Sequence, residues 1–339
     1  MTQARVKIGM TVLILSLALS ACGAKGNDTD GPQTTPPPTI STPEPSASVS
    51  VPPGEDRGDL IVNEFREMAL AGAPAKEMFD SFRSSVAEVQ PTQADELVRE
   101  MEAYYETNLP ETEKAFEDSG VQQALMQLEW PISEQAIEDM TDDEVKELAE
   151  ETLAGGYKLE TAEGYIFPVV DYGRLLSFGD RVSIAMKAYL ELMAAESDAP
   201  AAKDAALVIS WDELASRALA AESFVVTFPD TPERAEAERR FLLYLQFYLI
   251  GLNNTPIFDY ETFELLPEVK AQYEQMAASH AGTITGQLTA EWLNALEEAN
   301  GQVFGRGANG EQTDIPALKE FRDSLETKAR DMLPAAKNE

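Results

Sequence analysis

From Asp59 onward, apolar residues return every three or four positions, the period of a helix with one face turned inward. Leu60, Ile61, Phe65, Met68 and Ala69 mark the first such segment, and Gly72 with Pro74 closes it. The same spacing predicts helices over about 75–89, 93–108, 111–128 and 133–139. Thr141-Asp142-Asp143-Glu144 reads as a capping box, in which Thr and Glu satisfy opposite backbone N–H groups at a helix start. Gly155-Gly156 stops that helix. Between 157 and 170 the period changes to two. Tyr157, Leu159 and Thr161 alternate with their neighbours, Ala162-Glu163-Gly164 supplies a turn, and Tyr165, Phe167 and Val169 alternate again. This predicts a β-hairpin, with Pro168 confining its second strand to an edge. A lone hairpin has to lie against helices to persist.

The helical period resumes over about 180–195, and Ser210-Trp211-Asp212-Glu213 opens another helix running to about Glu222. Thr231-Pro232 offers an N-cap followed by a first-turn proline. Beyond it, Phe241 to Ile250 is apolar nearly all round. Ten residues are too few to cross a bilayer, so this segment is read as the buried central helix. Asn253-Asn254-Thr255-Pro256 terminates it, and further helices are predicted near 263–280, 288–299 and 315–331. The expectation is an all-α body with one small β-hairpin near 157–170. No fixed-period repeat occurs, nor the strand–helix alternation of a doubly wound sheet.

Residues 1–58 follow a different pattern. Arg5 and Lys7 precede an apolar run from Ile8 to Leu19, the layout of a secretory signal peptide and too short for a stable membrane span. From Gly23 to Gly58 the composition turns to Pro, Thr, Ser, Gly and acids, and Pro36-Pro37-Pro38, Pro43, Pro45, Pro52 and Pro53 bar helix. Such a stretch is a semi-extended spacer reaching at most about 110 Å. The chain therefore divides into a leader (1–21), a tether (22–58) and a helical body (59–334), with Gly155-Gly156 as a point where the body could split.

The leader ends in Leu19-Ser20-Ala21-Cys22, which resembles the lipobox of bacterial lipoproteins. That resemblance covers the first 22 residues. It implies cleavage between Ala21 and Cys22, a thioether-linked diacylglycerol on Cys22, and a further acyl chain such as palmitate on the new amino terminus. Two or more chains anchor firmly where one holds marginally. The implied location is the extracytoplasmic side of the cell membrane. Within the body, the stretch around Glu163-Gly164 and Trp211-Asp212-Glu213-Leu214 resembles uncharacterised lipoproteins of Gram-positive bacteria, which brings no activity with it.

The net charge is −34, and loss of Arg5 and Lys7 with the leader takes it to −36. Such a surface repels phosphate backbones, so nucleic acid is excluded as a partner. Cys22 is the only cysteine and His280 the only histidine, which rules out an intramolecular disulfide and zinc sites built on several His or Cys ligands. In the tether, Asp28-Thr29-Asp30-Gly31 has the opening of a calcium loop, but Pro37 stands where a bidentate Glu is required. No metal and no cofactor is implied.

Gly305-Arg306-Gly307-Ala308-Asn309-Gly310 satisfies the G-x-G-x-x-G spacing, yet no strand precedes it and no βαβ unit follows; it reads as a loop joining two helices. No G-x-S-x-G, S-x-x-K or H-E-x-x-H occurs, and no catalytic set is assigned. Chemistry without Cys or His falls to paired carboxylates. Glu163 and Asp171 flank the hairpin with Tyr165, Tyr172 and Arg174 close in sequence, and rings beside carboxylates suit a sugar or peptide surface. These five are the candidate ligand-binding residues; equally, the tyrosines can be hairpin packing and the acids turn and cap residues. Three readings follow. The first is a lipid-anchored binding or scaffold protein that meets a protein or cell-wall partner. The second is a carboxylate-based hydrolase of wall polymer or glycan. The third is the solute receptor of an importer, a class that usually has two α/β lobes.

Overall fold

A computed structural model describes residues 56–335. The expected leader, Ala21–Cys22 cleavage site and lipid attachment at Cys22, and nearly all of the expected tether, lie outside the described residues. Among those described are thirteen helices and four two-stranded antiparallel ladders, an all-α body with small hairpins.

Helix α1 (Arg57–Leu70) begins inside the stretch assigned to the tether, because Asp56 caps it by accepting from the Gly58 N–H at 3.1 Å. Helix α2 (Ala75–Ser85) follows Pro74. Helix α3 (Pro91–Phe116) joins the predicted 93–108 helix to the start of the predicted 111–128 one, running straight through Pro110. An interior proline costs about 3 kcal/mol. Here the helix buries residues on both sides of the proline, Tyr104 and Tyr105 before it and Phe116 after it, and that burial outweighs the lost bond. Asp118 caps α4 (Ser119–Leu125) and Ser133 caps α5 (Glu134–Glu138). Helix α6 (Asp143–Ala154) starts one residue later than its capping box suggested: Asp142, not Thr141, accepts from the Val145 N–H. It ends at Gly156, whose φ of +86° and closeness to Tyr105 and Phe79 leave no room for a side chain.

Strands β1 (Tyr157–Ala162) and β2 (Tyr165–Val170) form the predicted hairpin. Glu163 and Gly164 both take positive φ, 50° and 75°, as a two-residue turn that matches strand twist requires. Such a turn fixes the register: Tyr157 faces Val170, Leu159 faces Pro168 and Thr161 faces Ile166. The two alternating sets read from the sequence therefore lie on opposite faces. Ile166 and Pro168 are buried on β2, whereas Tyr165, Phe167 and Val169 share the other face. Buried Gln122 serves as a substitute strand for this edge. Its amide donates to the Ile166 and Phe116 carbonyls at 2.7 and 2.8 Å and accepts from the Ile166 N–H at 3.0 Å. Phe116, Leu125, Val145 and Ile166 make a small core beneath it.

The chain continues through α7 (Tyr172–Leu176), α8 (Ile184–Asp198), β3 (Ala202–Lys203), β4 (Ala206–Leu207) and α9 (Trp211–Thr227). Ser210 caps α9 as its motif predicts, accepting from the Glu213 N–H. Helix α10 (Arg234–Ile250) begins beyond Thr231, whose hydroxyl instead donates to the Phe228 carbonyl at the end of α9. There follow β5 (Gly251–Leu252), β6 (Thr255–Pro256), α11 (Pro267–Ser279), α12 (Ile284–Glu298), β7 (Gly305–Arg306), β8 (Gln312–Thr313) and α13 (Pro316–Met332). The main core draws residues from Val62 to Leu333, from both sides of Gly155, and α10 lies at its centre. Phe241, Tyr244, Leu245, Tyr248 and Leu249 of α10 are buried, while Leu242 and Leu243 are only half-buried.

Helix α12 is seated by a buried carboxylate. Glu222 of α9 accepts from the Ile284 N–H at 2.6 Å, the Thr285 N–H at 2.8 Å and the Thr285 hydroxyl at 2.7 Å. An anion suits unpaired amides at a helix N-terminus, where the dipole is positive. Glu222→Ala strips three buried donors of their acceptor and should lower the free energy of unfolding by about 3 kcal/mol, read by urea denaturation. Glu222→Asp, keeping the charge on a shorter arm, should lose less.

Candidate functional site

The five residues nominated around the hairpin are not brought together. Glu163 occupies the exposed turn at the tip, beside Tyr165, whose ring stacks on Phe167 at 6.4 Å. Asp171 lies past the other end of the hairpin, whose paired strands alone span five residue steps, or about 17 Å. That exceeds the roughly 5–9.5 Å between the carboxylates of a glycosidase pair. Asp171 caps α7 by accepting from the Arg174 N–H. The Arg174 guanidinium donates to the Leu153 carbonyl and lies 4.3 Å over the Phe79 ring, closing the last turn of α6. Tyr172 turns inward to Glu102. Each of the three at the base has a separate partner in the scaffold.

Glu102 carried no sequence signal. It belongs to a row on one face of α3, at spacing i, i+4, i+7, that meets the later elements. Asp95 accepts from the Ser183 N–H at 2.8 Å, Arg99 donates to Glu233 at 2.6 Å, and Glu102 Oε1 accepts from the Tyr172 and Tyr189 hydroxyls at 2.9 and 2.8 Å. Burial raises the Glu102 pKa to about 7, outweighing the two phenol bonds that favour the carboxylate; Glu233 and Glu106 push the same way. Burial and then Glu102 itself hold both phenols well above their usual range.

A loop-built cleft lies elsewhere, where the C-terminal ends of α10 and α12 meet three short hairpins. Helix α10 ends at Gly251, with φ +79°, and Asn253-Asn254 form the tip of the β5–β6 hairpin rather than a simple helix stop. Asn254 reaches the β3–β4 turn, its N–H donating to Ala205 and its side chain to Asp204. The G-x-G-x-x-G segment folds into the β7–β8 hairpin, pairing Gly305 with Thr313 and Arg306 with Gln312. Residues 257–266, in part predicted helical, form a loop instead. Pro267 occupies the first turn of α11, and Phe263 takes φ +60° while its carbonyl accepts from the Val303 N–H at 2.8 Å.

These loops enclose a cleft of about 310 Å³. Tyr260 packs edge-on against Phe258 at 5.2 Å, Phe258 against Phe304 at 5.1 Å, and the Arg322 guanidinium covers Phe304 at 4.5 Å. Arg322 also donates to Asp314 at 2.6 Å. Tyr260 is 59% exposed and its hydroxyl donates to the Asn253 carbonyl at 2.8 Å. Trp292 of α12 lines the cleft from below, stacked on Phe321 at 4.8 Å. Asn253 and Gln312, both exposed, line the same cleft, and neither side-chain amide has a hydrogen-bond partner among the described residues. Aromatic walls with a few unspent polar groups, carried by loops on a helical scaffold, are the usual make-up of a small-molecule site. Sequence reading singled out Asn253 and the glycine motif here but missed Phe258, Tyr260, Trp292, Phe304, Gln312 and Arg322. The run Phe258-Asp259-Tyr260 between two helices was the available signal.

A second concavity, about 520 Å³, runs between α8 and α9 with Leu192 and Phe224 in its floor and Ile184, 81% exposed, at its edge. Among the described residues no group of three or more His, Cys, Asp or Glu is placed to hold a metal, and no helix is long and apolar enough to cross a membrane. Comparison with protein-family models, with curated proteins and with solved structures finds no significant match to this chain.

Glu102 supplies a direct test. Its ordinary value is 4.5 and its folded value about 7, so between these the folded state keeps a proton that the unfolded state releases. The stability contributed by neutral Glu102 is full below pH 4.5 and is lost as the pH rises through 7, a difference on the order of 3 kcal/mol. Glu102→Gln keeps an acceptor oxygen for both tyrosines. It should flatten the pH dependence and leave the variant more stable than the parent at pH 8, as urea denaturation at pH 5 and pH 8 would record.

Proposed function

We propose that this chain is a lipid-anchored, extracytoplasmic binding protein: a lipid on Cys22 holds it at the membrane, the Pro-rich stretch acts as spacer, and the helical body presents the loop-built aromatic cleft to a ligand. The observation that carries the binding reading is the cleft itself, lined by Phe258, Phe304 and the exposed Tyr260 together with Asn253 and Gln312. The anchoring reading is supported by the basic start, apolar run and Leu19-Ser20-Ala21-Cys22 of the leader. The hydrolase alternative loses its support from the separation of Glu163 and Asp171 along the hairpin. A receptor with two α/β lobes does not agree with thirteen helices and four small ladders among the described residues.

Cys22→Ser should move the protein from the membrane fraction to the soluble fraction and abolish metabolic labelling with a radioactive fatty acid. Continued fractionation with membranes would overturn the anchor. For the binding reading, thermal-shift screening of the full-length protein in detergent micelles against sugars, peptides and metal ions should find a ligand that raises the melting temperature. That shift should disappear in Tyr260→Ala.

A further inference from the structure

Resting on the binding-protein reading, we infer that the cleft formed by Phe258, Tyr260, Phe304, Asn253, Gln312 and Arg322 is a site for a neutral saccharide, one or two sugar rings of a glycan. Three features of the cleft select that chemistry.

The first is the balance of surfaces. A pyranose ring has an apolar face of C–H groups and a rim of hydroxyls, and binding it takes a flat apolar surface beside in-plane hydrogen-bonding groups. Tyr260 is held in place by its hydroxyl bond to the Asn253 carbonyl, yet its ring remains more than half exposed. An exposed aromatic face of fixed orientation is a stacking platform. Asn253 and Gln312 supply the rim. A carboxamide offers two donors and an acceptor in one plane, which matches a pair of neighbouring hydroxyls that each donate and accept. Neither amide is spent on another of the described residues.

The second feature is charge. Among the described residues that line the cleft, Arg322 is the one Asp, Glu, Lys, Arg or His, and it is already engaged by Asp314 and by the face of Phe304. Outside the lining, the adjoining loops carry Asp259, Glu261, Glu264 and Glu311 in a chain of net charge −34. Asp259 is held below the usual carboxylate range by the Thr262 and Glu261 N–H groups, so it stays ionised. A phosphorylated or uronic-acid polymer would meet repulsion on approach, whereas a neutral glycan would not.

The third is size. A volume of about 310 Å³ stands at the low end of small-molecule sites, which run from roughly 300 to 1,000 Å³. It admits one or two rings of a longer chain and leaves the rest outside.

The test uses full-length protein in detergent micelles, titrated with neutral linear oligomers of glucose, mannose and N-acetylglucosamine and with a uronic-acid oligomer, followed by tryptophan fluorescence and calorimetry. At least one neutral oligomer should bind saturably and the uronic-acid oligomer at least about tenfold more weakly. Tyr260→Ala should weaken binding by about tenfold or more, Tyr260→Phe should retain it, and Asn253→Ala and Gln312→Ala should each lose severalfold, about 1 kcal/mol. All three positions are exposed, so each variant should melt within a few degrees of the parent, as circular dichroism would verify. Sugar binding that is indifferent to Tyr260→Ala and Gln312→Ala would overturn the assignment. Failure of every oligomer, with a peptide or apolar solute that binds and is lost in Tyr260→Ala, would overturn the saccharide inference and leave the binding reading standing. Failure of every ligand class would overturn both.

Discussion

One requirement organises the body: the apolar run of α10 has to be hidden from water over most of its circumference. Phe241, Tyr244, Leu245, Tyr248 and Leu249 are at or near zero exposure, and no single neighbour could cover them. Helix α9 covers one side as the other arm of an αα-hairpin, and α12, α13 and β5 close on the rest. The polar backbone at the end of this helix is satisfied as well. The Tyr273 hydroxyl donates to the Tyr248 and Leu249 carbonyls, while Tyr248 donates back to Gln272, so α11 is tied to α10 by its own tyrosine.

The cleft follows from where that packing stops. Helices α10 and α12 end at the same side of the core, and their connections must turn within a few residues. They do so through short hairpins and through non-glycine residues at positive φ, Phe263 after α10 and Asn300 after α12, and the α8–α9 connection beside them does the same at Asp204 and Ala205. Backbone in that region is sparsely populated for L-residues and persists only where the surroundings over-determine it. Here the cross-bonds between 257–266 and 299–304 supply the constraint, and the aromatic side chains projecting from these loops form the walls of the cleft. The opposite side of the body spends its polar groups internally. Asp95, Arg99 and Glu102 of α3 and Gln122 of α4 all bond across to distant segments.

Signals confined to neighbouring residues were legible. Ser210 caps α9 as its motif predicts, Gly155-Gly156 stops α6, and the Glu163-Gly164 turn closes the hairpin, because a cap or turn is made by the residues that encode it. Signals that compete were misread. Thr141 and Asp142 are both able caps, and Pro110 is a helix breaker whose cost is outweighed by the burial of residues on either side of it. The hairpin shows a finer failure. Its strands and turn were right, but the two alternating sets were out of phase, and only the register imposed by a two-residue turn places Ile166 and Pro168 inward.

The amino-acid sequence by itself determined an all-α body with a hairpin and the central place of the 241–250 helix, since helical period and turn chemistry act over a few residues. Tertiary structure decided the rest. It parted Glu163 from Asp171, sent Tyr172 to a carboxylate seventy positions earlier, and gathered Asn253, Tyr260, Trp292, Phe304 and Gln312 around one cleft. The physical reason is that a site is set by distance in space. Residues fifty positions apart become neighbours only once the core has chosen how its helices end.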